Sequence, residues 1–303
     1  MTQSETIKLI KMRSEGKTWK KLAKVFKGNT PNALRKSYYR GVRKPKAKVL
    51  LLDIETAPIL GYVWGLWENN LALNQVKQDW YILSWSAKWL GDPPAKVMYA
   101  DQRNAKNIED DSKLLQGIWK LMDEADVIIG QNSKKFDIKK LNARFIQNGY
   151  APPSSYRQID TLTLAKKHFG FTSNKLEHMT DKLCVKYKKL KHSDFSGFEL
   201  WKQCMANNPK AWTSMEKYNK YDVLSLEELY LKLAPWDKNI NFNVFRDELD
   251  NVCNACGHDV FITKGFVHTN TSKHVRLVCD NCGHETKQKQ NLLSKDKKKS
   301  LRT

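Results

Sequence analysis

The stretch "LLDIETAP" at residues 51–58 decides the fold prediction, because it places two acids directly after an apolar run. Asp53 and Glu55 stand two residues apart, so on a strand both side chains point to the same face. Two like charges on a half-buried face repel each other unless a cation neutralises them. From these residues alone the alternative stays open that the strand has ended and that both acids lie in a solvated loop.

The chain of 303 residues is long enough for one sizeable domain with attachments, or for two to three small domains. No apolar run approaches the roughly 18 residues of a membrane span. The N-terminus lacks the apolar segment of a signal peptide. We therefore expect a cytoplasmic protein that does not enter a membrane, and a virus-encoded protein acting in a host cell is one option.

The net charge of +21 indicates a polyanionic partner, and nucleic acid is the most common one. The charge is uneven, because residues 1–48 hold 15 Lys and Arg against 2 Glu. The last twenty residues hold 7 basic against 2 acidic residues. The alternative is a pair of solvated basic tails at the two ends of the chain.

Residues 3–41 show the pattern of three short helices, which argues against a solvated N-terminal tail. Thr18 is the predicted N-cap of the second helix, which runs to Gly28, and Thr30 with Pro31 begins the third. We predict a helix-turn-helix domain at residues 1–44 that binds nucleic acid. A small helical bundle that contacts protein is the alternative. The basic residues expected to contact nucleic acid are Arg35, Lys36, Arg40 and Arg43.

Residues 48–235 first show a run of strands and then alternate between strand and helix, which predicts a mixed α/β layer fold. A second acidic motif lies in "IIGQNSKKFD", where Asn132, Phe136 and Asp137 stand at a strand-to-helix corner. A third lies in "YNKYD", on a long predicted helix. Tyr218 and Asp222 are four residues apart there and share one helix face.

These three motifs, in this order and on these elements, resemble the DEDD superfamily of 3′–5′ exonucleases. The tyrosine variant is implied, as in the proofreading domains of family B DNA polymerases and in stand-alone RNase H-like exonucleases. The resemblance covers about residues 48–235 and implies an RNase H-like mixed sheet with flanking helices. Each motif alone is a weak signal, whereas the ordered set is specific.

The resemblance implies a two-metal mechanism with two Mg²⁺ or Mn²⁺ ions, which carboxylate oxygens suit. It implies that Asp53 bridges both ions, that Glu55 and Asp222 complete one site, and that Asp137 serves the other. Tyr218 would orient the attacking water.

The resemblance also implies substrate contacts. Asn132 and Phe136 would contact the terminal nucleotide. Apart from the resemblance, Lys189 is a candidate contact of the scissile phosphate, although a solvated lysine face is the favoured interpretation in a chain this rich in lysine. We interpret Asp160, in "QIDTL", as a helix cap or an outer hydrogen-bonding partner rather than a metal ligand.

Two C-x2-C pairs near the C-terminus predict a small β zinc ribbon at residues 250–290, followed by a basic tail at residues 291–303. The four expected ligands of one structural Zn²⁺ are Cys253, Cys256, Cys279 and Cys282. Two disulfides are the alternative, which an intracellular location disfavours. The ribbon could serve nucleic-acid contact or the docking of a protein partner. Cys184 and Cys204 are expected to be ordinary core residues.

The function predicted from the sequence is a metal-dependent 3′–5′ exonuclease. DNA is the favoured substrate because a helix-turn-helix domain reads duplex, and RNA remains the other candidate. Two alternatives are open: an inactive protein that binds or regulates nucleic acid, and a structure-selective endonuclease on the same fold.

Overall fold

The computed structural model describes residues 3–15, 17–34, 47–67, 69–188, 195–245 and 252–301. The chain divides into two compact units. The first comprises Met1–Lys46 with Val244–Glu248, and the second comprises Ala47–Asn243 with Leu249–Thr303. The ribbon cysteines and the predicted catalytic acids therefore belong to one unit.

The first unit contains helices α1 (Gln3–Ser14) and α2 (Trp19–Val25), followed by a helical turn at residues 31–34. The Thr18 hydroxyl accepts the N–H of Lys21, and Thr30 accepts the N–H of Ala33, so both predicted N-caps are confirmed. The core of this unit comprises Leu9, Leu22, Phe26 and Leu34. The four predicted nucleic-acid contacts Arg35, Lys36, Arg40 and Arg43 lie outside the described residues.

Helix α2 is shorter than the sequence predicts. It ends at Val25 rather than near Gly28. Phe26 leaves the helical conformation with a ψ of 71° and buries its ring among Leu9, Leu22 and Leu34. The burial of this ring in the core, rather than the helix propensity of the local residues, therefore determines where α2 ends.

The second unit is built on a five-stranded sheet, which confirms the predicted mixed α/β fold. Its order is β5-β4-β1-β6-β7, where β4 and β5 run antiparallel to their neighbours and β6 and β7 run parallel to β1. A short β2–β3 hairpin stands apart from this sheet. The strands are β1 (Val49–Thr56), β2 (Leu60–Gly61), β3 (Val76–Gln78), β4 (Ile82–Trp89), β5 (Met98–Asp101), β6 (Val127–Gly130) and β7 (Arg157–Asp160).

Helices cover both faces of the sheet. They are α3 (Ser112–Asp123), α4 (Asp137–Gln147), α5 (Thr161–His168), α6 (Leu176–Leu183), α7 (Glu199–Met205) and α8 (Pro209–Leu233). On β1, Leu50, Leu52 and Ile54 pack in one core cluster with residues of α3 and α4. Because side chains alternate along a strand, Asp53 and Glu55 point to the opposite face, towards α7 and α8.

The β2–β3 hairpin is an element that the sequence analysis missed. It begins four residues after Thr56 and carries a run of apolar side chains in solvent. Trp64 is 100% exposed and Trp67 is 85% exposed. A half-buried strand is predicted from the alternation of apolar and polar residues along the sequence. A hairpin whose apolar residues face solvent does not show that alternation.

The C-terminal part of the second unit forms a three-stranded antiparallel sheet in the order β10-β9-β8. Its strands are β8 (Phe261–His268), β9 (Lys273–Cys279) and β10 (Glu285–Lys287). The predicted basic tail contains helix α9 (Lys295–Ser300), capped by the hydroxyl of Ser294. Among the helices of the described residues, none is both long enough and apolar enough to cross a membrane.

Candidate active site

The three acids Asp53, Glu55 and Asp222 form a carboxylate cluster at the carboxyl end of β1. One carboxylate oxygen from each lies within 4.8 Å of the other two. Asp53 and Glu55 are partly exposed, whereas Asp222 is buried. The predicted same-face placement of the first two acids is therefore observed, and α8 brings the third acid to them.

Helix α8 carries Tyr218 and Asp222 on the face that meets the sheet, one turn apart. Tyr218 is buried, and its hydroxyl is hydrogen-bonded to the Asp222 carboxylate. Burial, and then the negative charges of the carboxylate cluster, raise the Tyr218 pKa far above its ordinary value. The phenol therefore stays protonated at neutral pH and serves as a hydrogen-bond donor.

Asp137, the fourth predicted ligand, stands beside this cluster but is not one of its three members. It is the first residue of α4 and is 4% exposed. Its carboxylate accepts the backbone N–H of Ile54, the residue between Asp53 and Glu55, across 3.1 Å. Burial raises the Asp137 pKa to about 7, against the opposing effect of the backbone N–H donors of Ile54 and Asp137 itself.

The corner between β6 and α4 is held in one conformation by close packing and hydrogen bonds. A Cβ on Gly130 would collide with the side chain of Ser133, so only glycine fits there. Asn132 adopts a left-handed φ of 60°, which asparagine tolerates better than most residues. Its backbone N–H donates to Asp160 across 3.0 Å, and the N–H of Lys134 donates to the same carboxylate.

Asp160 has the capping role that the sequence analysis proposed. It is the N-cap of α5, and its carboxylate accepts the N–H groups of Leu162 and Thr163. With the bonds from the β6–α4 corner, this carboxylate is held by four backbone donors on two segments. Asp160 thus fixes the corner that carries Asp137.

Two hydrogen-bond donors to the cluster were not found from the sequence. The side-chain amide of Asn219 donates to Asp53 Oδ2 across 2.6 Å, and the indole N–H of Trp201 donates to Glu55 Oε2 across 3.0 Å. Asn219 lies inside the "YNKYD" motif, which is a signal that could have been used. Trp201 on α7 has no sequence pattern that marks it.

The predicted substrate contacts have different surroundings. Asn132 lines a cleft of about 520 Å³ together with Lys166, Lys175 and Asn174. Phe136 is 38% exposed, which leaves part of its ring available for stacking. The Lys140 ammonium lies 5.9 Å from the centre of that ring. Lys189 lies outside the described residues.

The cluster fits a hard divalent cation. Two oxygens bound to one ion at about 2.1 Å lie at most about 4.2 Å apart. Oxygens within 4.8 Å of one another need only a small movement to share an ion. The donor set contains carboxylate oxygens and no thiolate or imidazole, which favours Mg²⁺ or Mn²⁺ over softer metals.

The four C-terminal cysteines form a second candidate metal site. Their sulfur atoms all lie within 4.8 Å of one another. Sγ of Cys253 is 3.7 Å from Cys282, and Sγ of Cys256 is 3.6 Å from Cys279. A disulfide needs about 2 Å, whereas two sulfurs on a tetrahedral zinc with 2.3 Å bonds lie about 3.8 Å apart. The arrangement therefore fits zinc and does not fit two disulfides.

The cysteine site is attached to the end of α8. The ring Nδ1 of His284 lies 3.0 Å from the carbonyl oxygen of Pro235, two residues beyond the last residue of that helix. His284 is 2% exposed, and the contact is partly buried. The two other cysteines, Cys184 and Cys204, are buried in apolar clusters, which confirms them as core residues.

A family comparison agrees with this geometry. Residues 92–234 match the RNase_H superfamily, in the family RNase_H_2. The matched segment is just under half of the chain. The matched residues include Asp137, Tyr218 and Asp222, whereas Asp53 and Glu55 precede them. The match supports nuclease activity in general terms.

Among solved structures, the family B DNA polymerase from the hyperthermophilic archaeon Pyrobaculum calidifontis is similar to this chain. The TM-score is 0.43 and the sequence identity is 17%. The similarity covers 63% of this chain and 25% of the polymerase chain, so this chain spans about a quarter of the polymerase's length. No curated protein matches the sequence.

Proposed function

We propose that the protein is a metal-dependent 3′–5′ exonuclease that hydrolyses phosphodiester bonds of nucleic acid, with DNA favoured over RNA. One observation carries the proposal. The carboxylate oxygens of Asp53, Glu55 and Asp222 converge within 4.8 Å beside the protonated phenol of Tyr218. Three acids without a cation repel one another, so a site built this way is suited to hold one.

Asp53, Glu55, Asp137 and Asp222 are the proposed ligands of two Mg²⁺ or Mn²⁺ ions. When bound, these ions would neutralise charge on the scissile phosphate and acidify a water molecule. Asp137 is proposed to serve the second ion. The hydrogen bond from Ile54 holds its carboxylate beside the strand that carries Asp53 and Glu55.

Tyr218 is proposed to orient the attacking water. Its raised pKa keeps the phenol protonated, so it donates a hydrogen bond and does not remove a proton. Asn132 and Phe136, at the β6–α4 corner, are proposed to contact the terminal nucleotide. The part-exposed ring of Phe136 offers a face to a base, and Lys189 is proposed to contact the phosphate.

The polarity of the reaction and the two-metal mechanism are proposed from the three ordered motifs. The nucleic-acid partner is proposed from the net charge of +21 and from the basic residues of the first unit. The cysteine site is proposed to bind one structural Zn²⁺, because four thiolates leave no open position for catalysis. Its surface is proposed to contact nucleic acid, with the docking of a protein partner as the alternative.

A 5′-labelled single strand tests the proposed activity. With Mg²⁺ or Mn²⁺ it should shorten in a ladder from the 3′ end, because each cut removes the terminal nucleotide. EDTA and Asp53→Ala should abolish the ladder. A 3′-labelled strand should release its label as a mononucleotide in the first turnover.

Three other outcomes have distinct meanings. Cuts in circular DNA would favour the structure-selective endonuclease. Tight binding of nucleic acid without cleavage, with every divalent cation tested, would favour the inactive binding protein. Faster shortening of RNA than of DNA of the same sequence would reverse the substrate assignment.

A further inference from the structure

We propose that Asn219 and Trp201 are positioning residues, whose hydrogen bonds hold Asp53 and Glu55 in the orientation that lets them share a cation with Asp222. The inference rests on the proposed function, because it assigns a role to two residues behind the same carboxylate cluster. Both residues present N–H groups to the cluster, and the Asn219 amide oxygen accepts from Ser84, so neither offers a lone pair to an ion there. Each acts through the carboxylate that it contacts.

Asn219 lies on α8, between the two residues of the Y-x3-D motif. It is 0% exposed, and its amide N–H donates to Asp53 Oδ2 across 2.6 Å. Its amide oxygen accepts the hydroxyl of Ser84 across 3.2 Å. The reversed amide would direct its oxygen at the Asp53 carboxylate, so the Ser84 bond and the Asp53 bond together fix one orientation.

Ser84 belongs to β4 and is paired with Glu55 on β1. The chain of bonds from Ser84 through Asn219 to Asp53 thus joins the sheet, the helix and the cluster. A buried amide without partners is costly. If the Asp53 side chain turned away, the Asn219 amide would lose its 2.6 Å bond and keep only its 3.4 Å bond to the Asp53 carbonyl oxygen.

Trp201 lies on α7 and holds the second acid of β1. Its indole N–H donates to Glu55 Oε2 across 3.0 Å. Its ring meets the Tyr218 ring edge to face, with centroids 6.1 Å apart and planes at 78°. One side chain therefore positions both a proposed ligand and the proposed water-orienting residue.

Both groups donate at these contacts, and each partner accepts through a carboxylate oxygen. An indole N–H has no acceptor capacity, and the Asn219 amide presents its N–H to Asp53. N–H dipoles directed at two of the carboxylates offset part of the repulsion among the three acids. The two bonds therefore hold Asp53 and Glu55 in place beside Asp222.

The dissociation constant of Mn²⁺ for the zinc-loaded full chain tests the inference without relying on cleavage. Trp201→Phe removes the N–H and keeps a ring against Tyr218, and Asn219→Leu removes the amide while keeping the same number of side-chain heavy atoms. Loss of an outer hydrogen-bond partner weakens metal binding by roughly 10–100-fold, and we expect that for each variant. Ser84→Ala should weaken binding less, because it removes only the bond that orients Asn219.

Matched controls remove hydrogen bonds of the same kind elsewhere in the second unit. Trp119→Phe loses an indole bond to the Ala151 carbonyl oxygen, and Gln102→Met loses an amide bond to the Asp110 carbonyl oxygen. Both should leave the Mn²⁺ affinity unchanged. Melting temperatures without Mn²⁺ separate folding defects from positioning defects.

The outcomes distinguish the inference from the proposed function. A wild-type chain that binds no Mn²⁺ rejects the metal site, and the proposed function with it. A wild-type chain that binds Mn²⁺, with Trp201→Phe and Asn219→Leu within twofold of it, overturns the inference alone. Equal weakening in the control variants also overturns it. If Asn219→Leu does not fold, Ser84→Ala and Trp201→Phe decide the result.

Discussion

The backbone N–H of Ile54 donates a hydrogen bond to the carboxylate of Asp137 across 3.1 Å, joining two residues that are 83 positions apart in the chain. The bond ties the strand that carries Asp53 and Glu55 to the first turn of α4. It places a buried acid next to the carboxylate cluster. A substitution at Asp137 can separate its two contributions. One is to accept the Ile54 N–H, and the other is to carry a negative charge.

Asp137→Asn should abolish nuclease activity while preserving the fold. The asparagine side-chain oxygen can still accept the Ile54 N–H, but it carries no charge to hold a cation. We expect kcat to fall by about a thousandfold, in line with the several kcal/mol that a catalytic metal supplies. The measurement is the rate of strand shortening, together with the melting temperature.

The matched control is Asp126→Asn. Asp126 also accepts a backbone N–H of the β1 segment, that of Lys48 across 2.6 Å, but at the opposite end of the strand from the cluster. Its substitution should leave kcat within about twofold of wild type, because the residue lies outside the proposed ligand set. Equal losses in both variants would mean that Asp137 acts only on the fold.

Tyr218→Phe should reduce kcat, and it should also weaken Mn²⁺ binding, because the phenol is hydrogen-bonded to the carboxylate of Asp222, a proposed ligand. The phenol is proposed to donate a hydrogen bond and is not a proposed ligand, so its loss removes about a hundredfold in rate, as for a lost oriented donor. Single-turnover rates and Mn²⁺ titrations measure the two effects separately. A variant with full activity would remove Tyr218 from the mechanism.

Cys279→Ser should lower the zinc content from one ion per chain to well below one. Loss of one thiolate ligand weakens zinc binding at a tetrahedral site. Because zinc binding is coupled to folding, the fold around the site is weakened as well. Cys204→Ser is the control, since Cys204 is buried away from the cysteine site. Metal analysis of both purified variants provides the measurement, and zinc loss in Cys204→Ser alone would contradict the assignment.

Replacing Arg35, Lys36, Arg40 and Arg43 with alanine should flatten the salt dependence of nucleic-acid binding. Each lost phosphate contact lowers the slope of log K against log salt by about 0.7–0.9, so four contacts give a change of about 3. The control replaces the exposed residues Lys8, Lys11, Lys20 and Lys24 of α1 and α2. Equal slope changes in both sets would show a general charge effect and no defined interface.

Glu228→Gln should destabilise the protein at neutral pH and much less at about pH 3. Burial works to raise the Glu228 pKa, but N–H groups of Val185, Tyr187 and Lys186 outweigh burial and lower it. A carboxyl group whose pKa is lowered in the folded state stabilises the protein at pH values above its unfolded-state pKa of about 4.3. This stabilisation is lost as the pH falls through the folded-state pKa. Hydrogen bonds to a charged group contribute about 1.5–3 kcal/mol.

Denaturant unfolding at the two pH values measures this difference. The free energy of unfolding of the variant should approach that of wild type as the pH falls, because the wild-type carboxylate becomes protonated. A difference that stays constant with pH would show that the Glu228 charge does not hold residues 185–187. Glu227→Gln is unsuitable as a control, since Glu227 pairs with the buried Lys88.

Local patterns predicted those parts of the fold that depend on neighbours in sequence. Strand β1, the corner after β6 and helix α8 follow from apolar periodicity and from turn residues. The N-caps Thr18 and Thr30 follow from side-chain chemistry over three residues. Local patterns did not predict the β2–β3 hairpin or the short strand β10. These strands are defined by their pairing with another strand rather than by an alternation of buried and exposed residues.

The sequence by itself determined which acids share a face and which cysteines come in pairs, because strand and helix periods fix directions over a few residues. Only the tertiary structure decided that Asp222 meets Asp53 and Glu55, and that Trp201 and Asn219 supply their hydrogen bonds. The physical reason is the separation along the chain between the residues that make contact. Contacts between distant residues depend on sheet order and on the burial of whole helices, which no local spacing encodes.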